Sequence, residues 1–213
     1  MIFYVNGDSH SAGVSLDSQS QSFGSLVARH FNLDVVNQSL PGGSNQRTIR
    51  ITQDWIRTTQ QKYFILIGWT SWEREEWLYR GDFFQVNSGS DCAGDEELEQ
   101  KYRSWVTGLS PEYVPQQGKI WHENIWQFHQ KLQVRNIPHL FFNCFYDFFV
   151  DESKHLDWQG CFFHPYENDW SYQHYLKAQG HKTFGQDQYH YGPQAHQAWA
   201  DLLINHIKEN KLL

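Results

Sequence analysis

The chain has 213 residues, 39% hydrophobic and 17% aromatic, with a formal net charge of -7. That length suits one large domain, 1–213; the rings offset the modest aliphatic content, because each buries a large apolar area; and the negative balance argues against a nucleic-acid partner. No stretch reaches the roughly 18 apolar residues of a membrane span, so no membrane insertion is expected.

The first residues, Ile2-Phe3-Tyr4-Val5, read as a short buried strand over 2–6 and not as a signal peptide. Phe23, Leu26, Val27 and Phe31 recur at helical spacing and predict a helix over about 19–31. Val35 and Val36 mark a second strand, which gives way to Leu40-Pro41-Gly42-Gly43. Ser44 or Asn45 caps the next helix, which runs to about residue 60. Tyr63-Phe64-Ile65-Leu66-Ile67 is the clearest buried strand, and Gly68 ends it.

Residues 75–118, with the acidic run Asp95-Glu96-Glu97, read as an insertion or cap with some helix. Trp121, Ile125, Phe128 and Leu132 return to helical spacing, and Leu140–Cys144 predicts another strand. A second insertion, 145–186, is rich in rings and histidines and has no clean period. Its aromatic residues, among them Trp158, Tyr166, Trp170 and Tyr172, could stack on sugar rings or simply fill a core. The last helix begins near Pro193, a residue suited to a first helical turn, with Ala195, Trp199, Leu202 and Leu203 on its apolar face.

Strands alternating with helices predict a parallel sheet covered on both faces. In such sheets ligands bind at the carboxyl ends of the strands. Asp8 and Ser9, then Gly42, Gly43 and Asn45, then Gly68, Thr70 and Ser71 follow three successive strands and fall on that edge.

Two chemistries compete for Gly7-Asp8-Ser9-His10, beside an ordinary turn. A serine nucleophile needs a base and a group to orient that base. Asp187-Gln188-Tyr189-His190 supplies both in the chain order Ser9, Asp187, His190. The amides of Ser9 and of a glycine in Pro41-Gly42-Gly43 are oxyanion donors of the required kind. Alternatively, Asp8 and His10 form an Asp-x-His metal pair like that of two-metal phosphoesterases. The further Gly-Asp-x-x-Asp and Gly-Asn-His motifs are missing, so no metal is expected. His155, His164, His174 and His181 lie nine, ten and seven apart, without the spacing of a ligand pair. Cys92, Cys144 and Cys161 show no CxxC and read as reduced thiols of a cytoplasmic protein, one that lysis or a viral particle could release.

Together these blocks resemble the SGNH hydrolases, the superfamily of the GDSL lipases and esterases. Gly7-Asp8-Ser9-His10-Ser11 is similar to the first block, Asn37–Asn45 to the second, and Asp187-Gln188-Tyr189-His190-Tyr191-Gly192-Pro193 to the last. The resemblance implies a three-layer α/β/α, flavodoxin-like parallel sheet with insertions. It also implies a Ser9, His190, Asp187 triad that hydrolyses carboxylic esters without a cofactor. Gly42, with Gly43 as the alternative, matches the oxyanion glycine. The third block departs: the family has Gly-x-Asn-Asp, and here Gly68-Trp69-Thr70-Ser71 places Thr70 at the asparagine. Thr70 is then a weaker third donor, and Asn45 and Asn143 are substitutes for it. His10, Asn45, Trp69 and Asn143 are candidate substrate contacts, Asp8 a structural acid, and Glu73 and Arg74 an ion pair beside the site. The substrate class implied is a small-molecule or glycan ester, O-acetylated carbohydrate before long-chain lipid. The competing reading is a carbohydrate-binding scaffold that has lost turnover.

Overall fold

A computed structural model describes residues 1–92, 94–184 and 189–213, Phe184 by its backbone alone. A five-stranded parallel sheet runs in the order β2 (Asp34–Asn37), β1 (Ile2–Asn6), β3 (Tyr63–Trp69), β6 (His139–Asn143), β7 (Phe162–Phe163). Its helices are α1 (Ser9–Ala12), α2 (Phe23–His30), α3 (Asn45–Thr58), α4 (Glu96–Thr107), α5 (Tyr113–Val134), α6 (Tyr172–Ala178) and α7 (Pro193–Glu209). This is the α/β flavodoxin-like arrangement expected from the alternation of patterns.

Strand parity sorts the core into two layers, because successive side chains point to opposite faces. Phe3, Val5, Phe64, Leu66, Leu140 and Phe142 meet α2 and α7 on one face, with Trp199 fully buried among them. Tyr4, Ile65, Ile67, Trp69 and Phe141 meet α5 on the other, through Trp121, Ile125 and Phe128. Both faces are covered, so the central strands β1, β3 and β6 are mostly apolar and buried, as parallel strands of this kind are. Each such side chain contributes roughly 1.5–3 kcal/mol by leaving water.

The insertions hold more regular structure than their sequence shows. Residues 75–118 contain a hairpin, β4 (Glu75–Tyr79) with β5 (Asp82–Val86), then α4 and the first turns of α5. Trp77, Val86, Cys92 and Leu98 give this segment its own small core. Residues 145–186 supply edge strand β7, α6 and β8 (Thr183–Phe184), which pairs with β9 (His190–Tyr191). Trp158, Phe162, Phe163 and Tyr172 are at most 4% exposed, so these rings fill the core rather than line a surface. Among the described residues, no helix is long and apolar enough to cross a membrane.

Candidate active site

The turn after β1 is shaped by close approach. Gly7 has φ +153°, and a Cβ there would lie 2.5 Å from Ser11 Oγ and 2.7 Å from the Gly68 carbonyl. A Cβ on Gly68 would lie 2.6 Å from the Phe142 ring and 2.7 Å from Ser11 Oγ. Two glycines on adjacent strands therefore let α1 start directly at the sheet edge. Asp8 caps α1, its Oδ1 accepting the His10 N–H at 3.0 Å. Ser9 is the first helical residue and is 6% exposed.

The second block is stitched to the first. The Leu40 N–H donates to the Gly7 carbonyl at 3.1 Å, and Asn37 Nδ2 donates to the Ser11 carbonyl at 2.9 Å. Gly42 takes φ +73°, a left-handed conformation that favours glycine. The Gly43 N–H closes a turn onto the Leu40 carbonyl at 2.9 Å. Of the two glycine amides, that of Gly42 is the one with no acceptor among the described residues.

The third block is tied inward. Thr70 Oγ1 donates to Asp8 Oδ2 at 2.8 Å, and Arg74 Nη1 approaches the same oxygen at 3.4 Å. Asn45 holds the Thr70 backbone from both sides, accepting its N–H at 2.9 Å and donating to its carbonyl at 3.3 Å. The only proton of the Thr70 hydroxyl and the Asn45 amide are thus both engaged in structure. Burial would raise the Asp8 pKa, but the His10 ring, the Arg74 guanidinium, the Thr70 hydroxyl and the His10 N–H hold the carboxyl below its usual range. Asp8 is fully buried and organises the loop, whereas the Glu73–Arg74 pair is not formed. Arg74 turns to Asp8 and over the Phe145 ring at 5.2 Å, while Glu73 accepts from the Ser71 hydroxyl.

His190 lies on β9, 8% exposed, with its ring centroid 5.1 Å from that of His10. The His10 ring is packed between Phe145, Tyr172 and Tyr189, at 5.1 to 5.4 Å. Gln173 Nε2, from α6, donates to His10 Nε2 at 3.0 Å. The first block and His190 thus come together, although Ser9 and His190 are 181 positions apart in the chain. Asp187 lies outside the described residues.

Two of the other candidates are engaged within the fold. Trp69 is 0% exposed, and parity turns it onto the α5 face, where it meets Phe128 and Phe141 edge-on. It is a core residue and offers no surface to a ligand. Asn143, 3% exposed, donates through Nδ2 to the Pro165 carbonyl at 3.2 Å.

Sequence reasoning missed a chain of polar contacts that reaches the second block. Gln85 Oε1, on β5, accepts from both the N–H and the hydroxyl of Ser44 at 3.0 Å. Gln85 Nε2 donates to Glu76 at 2.8 Å, and Glu76 holds Arg50 bidentately at 2.6 and 2.9 Å. The hairpin is a brace behind the Gly42 loop, and no local pattern in the sequence signals that pairing.

No protein-family model matches the chain, and no curated protein matches it in sequence. Solved structures do. The psychrotrophic esterase EstA from Pseudoalteromonas sp., in a structure inhibited by monoethylphosphonate, superposes with a TM-score of 0.52 at 11% identity, over 98% of this chain and 97% of that one. TesA superposes with a TM-score of 0.50 at 13% identity, over the whole of both chains. The chain has the fold of the SGNH hydrolases.

Proposed function

We propose that the protein is a serine hydrolase of carboxylic esters with Ser9 as nucleophile. The observation that carries this reading is the convergence of the first and second blocks with His190 at the carboxyl edge of an SGNH sheet. In this reading His190 takes the proton from Ser9 as the hydroxyl attacks the ester carbonyl. Asp187 orients the imidazole and stabilises the imidazolium that forms. The amides of Ser9 and Gly42 receive the oxyanion. Water then releases the acid from the acyl-enzyme, and no cofactor takes part. His10, held by Gln173, packs beside the His190 ring. The substrate is a small or glycan-borne ester, with an O-acetyl group on carbohydrate preferred over a long acyl chain, since the chain is modest in aliphatic residues and rich in rings.

A second reading, an SGNH scaffold that binds glycan without turnover, is favoured by one observation: the Thr70 hydroxyl proton goes to Asp8. Absence of a third oxyanion donor costs about 10²–10³ in rate. A fluorophosphonate probe separates the two readings without knowledge of the substrate. An activated serine gives one adduct by intact mass on the wild type and none on Ser9→Ala or His190→Ala. A folded wild type that takes no adduct overturns the esterase reading and leaves the binding one.

A further inference from the structure

We propose a metal site at the opposite edge of the sheet, in which His129, His139 and Cys161 bind one divalent cation of the zinc type. One ring nitrogen of each histidine and Cys161 Sγ all lie within 4.8 Å of one another. The three residues come from three elements: α5, the first residue of β6, and the residue just before β7. The five residues of β6, at about 3.3 Å each, separate this site from the Ser9 edge.

The hydrogen bonds prepare the ligands. His139 Nδ1 lies 2.8 Å from the Ile137 carbonyl, which can only accept. Nδ1 of His139 therefore carries the proton and Nε2 carries a lone pair. That lone pair faces His129 Nδ1 at 2.8 Å, so one proton is shared between the rings. A ring nitrogen held to a backbone carbonyl, with its other nitrogen aimed inward, is the arrangement that orients histidines at metal sites. His129 is 0% exposed, and its Nε2 has no hydrogen-bond partner among the described residues. Burial keeps both imidazoles neutral, each pKa depressed to about 4. A coordinating thiol gives up its proton when a cation binds, so Cys161 would join the site as the thiolate.

Binding balances as follows. The cation takes the place of the proton between the rings, and that proton moves to His129 Nε2. The Cys161 thiol loses its proton to water as the metal–sulfur bond forms. Tetrahedral geometry asks for about 3.3 Å between the nitrogens and about 3.6 Å from nitrogen to sulfur, a movement of about an ångström. Water completes the shell. Two imidazoles and a thiolate select a borderline cation over magnesium or calcium, which want oxygen. A surface cavity of about 470 Å³, lined in part by His139 and Cys161, provides the entry path. A cation here would fasten edge strand β7, only two residues long, to β6 and α5.

Titration of the metal-stripped full chain with cobalt(II) and zinc(II) tests the site. One equivalent of cobalt should give a thiolate charge-transfer band in the near ultraviolet, displaced by zinc. A hundredfold excess of zinc over its Kd should raise the Tm by several degrees. Cys161→Ser should lose the band and weaken binding at least tenfold, yet label with fluorophosphonate to the wild-type extent. His129→Gln should weaken binding as much, and His155→Gln together with His164→Gln should change nothing. A band that persists in Cys161→Ser, or zinc binding lost only in the surface double variant, overturns the proposal. So does a wild type that binds no equivalent of either metal.

Discussion

A threonine hydroxyl has one proton, and that of Thr70 goes to Asp8 Oδ2 at 2.8 Å. Asp8 is wholly buried and charged, so each donor it loses leaves charge uncompensated in a poorly solvating interior. Thr70→Val is expected to destabilise the protein by about 1–3 kcal/mol, and Thr70→Ser by less than about 1 kcal/mol. Urea melts of the two variants check this. A Val variant of unchanged stability but slower turnover would instead assign the hydroxyl to the oxyanion. His196 is the second residue whose role is decided by its surroundings. It accepts the Phe23 N–H through Nδ1 at 3.1 Å and faces the Tyr172 hydroxyl at 3.5 Å. It is 1% exposed and stacks on Phe23, a neutral core histidine.

At the scale of elements, the β4–β5 hairpin matters more to the site than its acidic, loosely patterned sequence implies. Its Gln85 holds Ser44, which also caps α3 by accepting the Arg47 N–H at 3.3 Å. One side chain thus fixes both the start of a helix and the loop that carries the Gly42 amide. Under the proposed mechanism, in which the Gly42 amide receives the oxyanion, Gln85→Ala should lower kcat about tenfold with KM little changed, because a loosened donor fails the transition state more than the bound ester. Steady-state kinetics on any ester that turns over checks the split. A rise in KM alone would make the hairpin a substrate contact instead of a brace. β1 is braced similarly from the other face: Asn6 Nδ2 lies 3.1 Å from the Thr48 carbonyl and 3.0 Å from Thr52 Oγ1, both on α3. The strand that presents Ser9 is therefore anchored to the helix that begins beside Gly42.

At the scale of the whole molecule, buried ionisable groups set the pH range of stability. Burial, with the neighbouring His10 and His190 rings adding to it, depresses His196 to about 3, against about 6.5 when unfolded. Between these values the unfolded chain binds the proton and the folded chain does not. This contribution is fully present above about pH 6.5 and is lost as pH falls towards about 3, at up to about 1.4 kcal/mol per pH unit. Asp8, whose folded pKa lies below its unfolded one, contributes above about pH 3.9 and is lost as pH falls through the folded value. Urea midpoints from pH 7 to 4.5 should therefore fall more steeply for the wild type than for His196→Gln, whose amide can still accept from Phe23. Equal slopes in the two proteins would mean that His196 takes its proton inside the fold.

Much of the architecture was legible because its causes are local. Apolar runs mark β1, β3 and β6, helical spacing marks the faces of α2, α5 and α7, and Gly7-Asp8-Ser9 and Gly42-Gly43 mark turns that few other residues could make. The aromatic insertion was illegible for the opposite reason: an aperiodic run of rings has no preferred face until a core surrounds it. The same holds for the contacts that decide the site. Gln85 meets Ser44 across 41 residues, Arg74 meets Asp8 across 66, and Gln173 meets His10 across 163. By itself the sequence determined which groups stand at the carboxyl edge of the sheet, since alternation and spacing are enough to put them there. Only the tertiary structure decided which of them are engaged with one another, as Thr70 is with Asp8 and Trp69 is with the core. A side chain has few hydrogen bonds to give and one face to bury, and its partners are chosen by the fold.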